Sequence, residues 1–367
     1  MAVTLTARQL NRASLARQML LARSDLGAVS AIGMLGGLNA QHVLSPYISL
    51  WSRLRDFRAA ELEAAITEGR VLKATLMRGT LHLVRSEDHA ALWRALGPAL
   101  SRAFQGFFPK ESRSIDAGRL TDLVREALTD APMAYRDLEA HLAGFFPDLR
   151  PQSLSFAAKA LAPVVQLPPS GLRSHAGPAS YGWVGTGHGQ ETPERDLAAL
   201  LQAYLAAFGP ATAQDVQQWS GLPAAAVREA ITSVQDLLRL EGPGGAEYLD
   251  LPDAAIPPED TAAPARFLPR WDNLLLAYRD RARVLPQAFR AAVIQRDGRV
   301  LPTYLLDGYV AGLWQGEESA SAATVTLMPL QGFDGEEKDA LEAEALKLGR
   351  WLHPAAKNHA VRYGVLT

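Results

Sequence analysis

RDLAALLQAYLAAFGPATAQDVQQWSGLPAAAVREAITSVQDLLRLEGPGGAEYLDL, residues 195–251, carries three helical patterns and then two short strands. The apolar spacing of RDLAALLQAYLAAFG predicts the first helix. Thr212 is placed to cap the second, TAQDVQQWSG. Gly221-Leu222-Pro223 turns into the third, PAAAVREAITSV, with proline at an early helical position. LLRLEGPGGAEYLDL then reads as a hairpin about a Gly/Pro turn.

Helix, helix, helix, hairpin is the winged-helix arrangement, a helix-turn-helix variant, and the same order recurs twice upstream. In the first stretch TARQLNRASLARQMLLA reads as a helix with Arg8, Arg12 and Arg17 around its apolar positions. A second helix enters GGLNAQ, AAELEAAITEGR is a third, and KATLMRGTLHLV is strand-like with an interruption at Gly79-Thr80 that reads as a hairpin turn or a bulge. In the next stretch LTDLVREALTD, AYRDLEAHLAGFF and PQSLSFAAKALAP are helices, followed by two short strands in VVQLPPSGLRSHAGPASYGWV. From about residue 265 the texture changes to short alternating strands with Asp-Gly turns, then an amphipathic helix, EEKDALEAEALKLGRWL. The expected fold is mainly α with β wings: winged helices over 1–105, 106–192 and 193–264, and a β-rich unit with a terminal helix over 265–367. No long linker separates the modules, so they are expected to pack together.

The 367 residues suffice for several buried cores, and 48% hydrophobic with 21% charged content fits a soluble globular protein. No apolar run approaches the roughly 20 residues of a membrane helix. MAVTLTARQLNRASL lacks a continuous apolar segment and a cleavage site, which leaves a cytoplasmic location as the expectation. The absence of cysteine excludes disulfides, thiolate metal ligands and a thiol nucleophile. A net charge of -2 argues against a uniformly basic nucleic-acid coat and leaves a local basic groove open. Arginine greatly outnumbers lysine, which suits bidentate phosphate contacts and equally fits a compositional bias.

GGLNAQH, residues 36–42, places carboxamides Asn39 and Gln41 on either side of one alanine. Carboxamides are weak bases and poor nucleophiles. Two readings stand. In one, Asn39 ends the preceding helix after Gly36-Gly37 and Gln41 satisfies nearby backbone. In the other, an extended backbone turns residues i and i+2 to one face, and the pair brackets a water.

GGLNAQ followed by SLWSRL, then LMRGTLHLV, AFGPATAQDVQQWSGL and LPRWDNLLLAYRDRARVLP, resembles the AlkZ-like winged-helix DNA glycosylases, in order across residues 8 to about 350. The resemblance implies three tandem winged helices plus a β-rich element forming a concave DNA-binding surface. It also implies alkylation and interstrand-crosslink repair, including self-resistance to DNA-alkylating antibiotics. The family signature is two glutamines flanking one hydrophobic residue, matched here by Asn39, Ala40 and Gln41, so the first glutamine is replaced by asparagine. On this resemblance Gln41 and Asn39 are the catalytic candidates of a monofunctional glycosylase acting on N7-alkylated purines in double-stranded DNA, as a monomer near the bacterial nucleoid and without a cofactor. N7 alkylation makes the purine cationic, so it departs neutral and needs no protonation. What remains is to deliver water to C1′ and to accommodate positive charge on the sugar, which a carbonyl dipole can do.

Strand alternation would put Arg78, Thr80 and His82 on one polar face near phosphates, or bury Arg78 on backbone carbonyls with His82 in the core. Arg270, Arg279, Arg281 and Arg283 surround Trp271 and Tyr278, a mixture suited to a duplex backbone, or to solvated pairs with Asp272 and Asp280. No metal site is expected, since His353 and His359 lack an HExxH context. Gly185-Thr186-Gly187-His188-Gly189 lacks the Lys-Ser/Thr ending of a phosphate loop and reads as a wing or linker. The rival reading is a non-catalytic winged-helix DNA-binding protein, a regulator or a lesion-binding factor. Against a regulator, PAAAVREAITSV carries only Arg228 as a basic group and no ligand-sensing domain is evident.

Overall fold

Local signals in the sequence set several element ends. The computed structural model describes residues 4–175, 177–185, 192–319 and 322–365, and most of Gly185–Gly189 lies outside them. Helix α1 (Ala7–Arg17) starts at a capping box between Thr6 and Gln9. It stops there because Met19 takes left-handed backbone, φ 55°, so MLLA leaves the helix that its apolar pattern seemed to continue. Helix α2 (Ala28–Met34) ends in Gly36 and Gly37 at φ 66° and 85°. A Cβ on Gly37 would lie 2.9 Å from Val84 Cγ1, so this turn requires glycine.

The chain leaves that turn as β1 (Leu38–Asn39), then forms α3 (Ser45–Arg53), α4 (Ala59–Thr67) and the hairpin β2 (Val71–Thr75) and β3 (Leu81–Arg85). The second stretch comprises α5 (Ser86–Phe107), α6 (Glu111–Ser114), α7 (Ala117–Thr129), β4 (Met133–Ala134), α8 (Tyr135–Ala143), α9 (Pro151–Leu161), β5 (Val164–Leu167) and β6 (Ser180–Trp183). The third comprises α10 (Pro193–Phe208), α11 (Ala213–Ser220), α12 (Ala224–Ser233) and the hairpin β7 (Leu238–Glu241) and β8 (Glu247–Asp250). Thr212 caps α11 as its sequence position requires, and Gly221 ends that helix at φ 81°. The remaining elements are β9 (Arg266–Leu268), α13 (Arg290–Val293), β10 (Thr303–Leu306), β11 (Tyr309–Glu318), β12 (Ala322–Pro329), α14 (Gly335–Leu352) and β13 (Asn358–Tyr363).

The hairpins of the first two stretches are halves of one six-stranded sheet, ordered β1-β3-β2-β5-β6-β4. Lys73–Gln166 and Ala74–Val165 pairing joins them, whereas β7–β8 forms its own ribbon. The C-terminal sheet is ordered β13-β12-β11-β10-β9, and its parallel β12–β13 pair is connected through α14. Asp307 and Gly308, at φ 44° and 81°, close β10–β11 as a two-residue turn of the I′ kind.

One core gathers Leu100, Leu154, Leu201, Phe208 and Trp219 from the second and third stretches. Another packs Tyr47 and Leu50 of α3 against Phe267, Tyr304 and Leu327 of the C-terminal sheet. Arg17 pairs with Asp250 at 2.7 Å, and Arg8 and Arg12 both pair with Asp307. These three arginines therefore fasten α1 to the third hairpin and the C-terminal sheet. Among the described residues no helix is long and apolar enough to cross a membrane.

Candidate active site and nucleic-acid interface

Asn39 faces His82 across the β1–β3 pair. Extended backbone at Asn39 turns its side chain to the same side as that of Gln41, and the amides meet. Asn39 Nδ2 lies 3.3 Å from Gln41 Oε1, and Asn39 Oδ1 accepts the Gln41 backbone N–H at 3.2 Å, an Asx turn. The capping alternative does not describe this geometry, because α2 is capped at Leu35. The two carboxamides are unequal. Asn39 is only 4% exposed and directs both polar atoms at Gln41, while Gln41 is exposed with acceptor and donor capacity to spare.

Gln41 overlooks a niche of about 130 Å³ bounded by Thr75, Thr80, Phe156, Lys159, Gln166 and Tyr181. Its floor is polar: Gln166 Nε2 donates to the Tyr181 hydroxyl at 3.0 Å, and Ser170 donates to Gln166 Oε1 at 2.8 Å. Lys159 Nζ sits 4.7 Å from the Tyr135 ring centroid and brings a cation to the same place. An apolar cavity of about 150 Å³ holds one benzene. The niche is thus of the size of one ring, smaller than a purine carrying a large substituent.

The strand containing Arg78 is broken by a turn, so the regular-strand polar face does not form and the alternative, Arg78 on a backbone carbonyl with His82 in the core, describes the structure. Arg78 and Gly79 occupy a turn at φ 58° and 68° between β2 and β3. From there Arg78 donates to the Trp219 carbonyl, beside the Gly221 turn. Thr80 spends its hydroxyl on the Met77 carbonyl at 3.0 Å. His82 is fully buried, with Nδ1 2.9 Å from the Thr80 carbonyl. Burial first, and Arg78 second, push its pKa down to about 3, so it is neutral and sealed from the surface.

Asp272 and Asp280 are not solvated partners of the C-terminal arginines. Asp272 is buried against Arg53, and Asp280 accepts the Ala282 N–H at 2.9 Å. Arg270 and Arg279 are exposed, and their side chains have no hydrogen bond or ion pair among the described residues. Arg281 is half-buried and donates to the Leu275 carbonyl. Burial lowers its pKa, with Arg290 and Arg279 adding repulsion, and the Arg78 guanidinium is pushed down to about 10 by burial and by Arg281. Arg78, Arg279, Arg281 and Arg290 therefore form a positive patch, while Arg270 lies apart near His42. Arg283 is buried and bonds the Pro210 carbonyl, which removes it from the surface. Lys159 and Arg290 were missed by sequence reasoning. Only the pairing of β2 with β5 and the folding back of the C-terminal segment bring them here, and neither leaves a local signal.

The site is held from behind. Asn273 Nδ2 donates to the Gly37 carbonyl at 2.9 Å, and Asp272 grips Arg53 of α3. The RWDN sequence thus fixes both flanks of the Asn39–Gln41 segment. The two histidines considered for metal are otherwise engaged: His353 lies 2.9 Å from Glu318 Oε2, and His359 Nε2 lies 3.0 Å from the His353 carbonyl.

An exposed carboxamide braced by a buried one, with a positive patch on the same molecule, befits an enzyme that opens a glycosidic bond in DNA. The family model described as DNA glycosylase AlkZ-like matches residues 32–351. The chain belongs to the AlkZ-like family and is a DNA glycosylase. It is 26% identical over 328 residues to an interstrand DNA cross-link repair glycosylase of Streptomyces sahachiroi, covering 82% of this chain and 85% of that protein. The solved structure of Streptomyces sahachiroi DNA glycosylase AlkZ has the same fold, with a TM-score of 0.81 at 21% identity over 99% of this chain and 100% of that one. Family membership removes the non-catalytic rival.

Proposed function

We propose that this enzyme is a monofunctional glycosylase that hydrolyses the N-glycosidic bond of N7-alkylated purines, bulky adducts and interstrand crosslinks among them. The observation that carries the reading is the buried Asn39 bracing the exposed Gln41. Gln41 Oε1 accepts a hydrogen bond from the attacking water and turns its negative dipole end toward the developing sugar cation. The water oxygen bonds to C1′, the C1′–N9 electron pair leaves with the cationic purine, which becomes neutral, and the surplus proton passes to solvent. Asn39 positions Gln41. The small niche supports an open site in which a large adduct is not engulfed, and the cross-link repair name of the Streptomyces sahachiroi relative supports bulky substrates.

On this reading the three helical stretches with their hairpins are tandem winged helices around a concave face, and the protein works in the cytoplasm as a monomer on duplex DNA. The test is single-turnover incubation with duplexes carrying one defined N7-alkylguanine, followed by chemical cleavage of abasic sites. Strand breaks at the lesion, unchanged by a chelator, are expected; tight binding without base release would sink the proposal.

Arg279, Arg281 and Arg290 serve phosphates on this reading. Arg279→Gln and Arg290→Gln are each expected to weaken binding to every duplex alike and to flatten the dependence of log K on log salt by about 0.9. Titrations of undamaged duplexes of varied sequence at several salt concentrations check this, and unchanged slopes would remove these residues from the interface.

A further inference from the structure

One residue beyond Gln41 the chain borders a second, larger cavity of about 450 Å³. His42, Ser45 and Ile48 form one wall, where α3 begins, and Arg270, Leu313 and Trp314 form the other. The volume falls within the roughly 300–1,000 Å³ typical of small-molecule sites. Two of its polar groups are unpaired: the side chains of His42 and Arg270 have no hydrogen bond or ion pair among the described residues. Burial, and then Arg270, lower the His42 pKa, so at neutral pH the ring is neutral with one donor and one acceptor.

We propose that this cavity receives the substituent of a bulky N7-adduct: a flat, mainly apolar group carrying an anionic or hydrogen-bond-accepting oxygen. The assignment rests on the glycosylase reading above. Hydrolysis fixes C1′ at Gln41, and N7 lies on the major-groove edge of the purine. A substituent there projects past the base and away from the attacked carbon. His42 follows Gln41 directly in the chain, so the cavity's first wall begins beside the amide. Ile48, Leu313 and Trp314 meet its apolar faces, while Arg270 donates to its oxygen. The niche beside Gln41 then has to admit no more than a ring, and the cavity takes the rest.

Gly316 of β11 borders this cavity, and a Cβ there meets Leu352 Cδ1 at 3.4 Å and a Trp314 ring carbon at 3.6 Å, ordinary contact distances. Gly316→Val therefore seats its Cβ without a clash and adds bulk at the cavity wall. The experiment compares wild type and Gly316→Val in single turnover on two duplexes, one with N7-methylguanine and one with an N7-guanine adduct bearing a 4′-carboxybiphenylmethyl group. A fall of tenfold or more in the bulky-to-methyl rate ratio, with the methyl rate held within twofold, is the expected result. An unchanged ratio overturns the proposal. Titration of both proteins with free 4-phenylbenzoate separates the two hypotheses: if wild type releases neither base, the glycosylase reading fails, and probe binding that is lost in Gly316→Val still identifies the cavity as a ligand site. Absence of probe binding together with an unchanged ratio leaves the cavity without a role.

Discussion

Gln41→Ala lowers the single-turnover rate of base release by about 10²–10³-fold, the loss typical when one preorganised dipole is removed from a developing charge, while duplex affinity stays within a few fold. The asymmetry follows from the chemistry of each step. Binding is dominated by phosphate charge, to which a neutral amide adds little. Base release depends on one water and one cationic sugar, and Gln41 is the exposed amide of the pair. On the proposed mechanism Asn39 acts through Gln41, so its removal is expected to free the longer side chain rather than delete the dipole. Misplacement by about 1 Å costs on the order of a hundredfold in rate. Asn39→Ala should therefore approach the Gln41→Ala rate, and the double variant should be no slower than Gln41→Ala alone. Non-additivity of this kind marks residues acting as one unit. Full activity in Gln41→Ala would remove it from the mechanism, and additive losses would make Asn39 an independent participant.

Features written in neighbouring residues were legible in the sequence. Thr212 with Asp215 at a helix start, Asp307-Gly308 at a two-residue turn and the double glycine before Asn39 each follow from local backbone chemistry. Periodicity alone misled where it extended α1 past Arg17, because MLLA is apolar for burial rather than for helix. At Arg78 the interruption at Gly79-Thr80 already marked the turn that positive φ makes. The joining of β2 to β5 depends on which hairpin edges meet, and strand alternation says nothing about that. The same limit hid Lys159, His42 and Arg290, whose positions near the site or beside its other groups arise from packing between distant segments. Asp272 was the most misleading residue. An aspartate beside Arg270 and Trp271 reads as half of a surface pair, but its partner lies 219 positions away.

That partner makes Asp272→Ala the substitution with the largest expected loss of stability. Arg53 donates to both carboxylate oxygens of Asp272, at 2.8 and 3.0 Å, and the two side chains are 1% and 0% exposed. Asp272 also accepts the Leu274 N–H at 3.0 Å and the Ser49 hydroxyl at 3.3 Å, so its charge is well satisfied where it lies. Truncation strands a guanidinium in the interior, and breaking a buried pair in this way costs about 3–5 kcal/mol. Replacing both partners with apolar residues, as in Arg53→Met with Asp272→Leu, leaves no buried charge and should recover most of that loss. Denaturant unfolding of wild type, Asp272→Ala and the double variant measures the order, and an Asp272→Ala protein within 1 kcal/mol of wild type would refute it. Base release then separates stability from aim. Arg53 ends α3, the helix that follows Gln41 and His42, and the neighbouring Asn273 holds the Gly37 carbonyl at the other flank. A double variant that regains stability while remaining slow on N7-methylguanine would mean that the ion pair sets the direction in which Gln41 points.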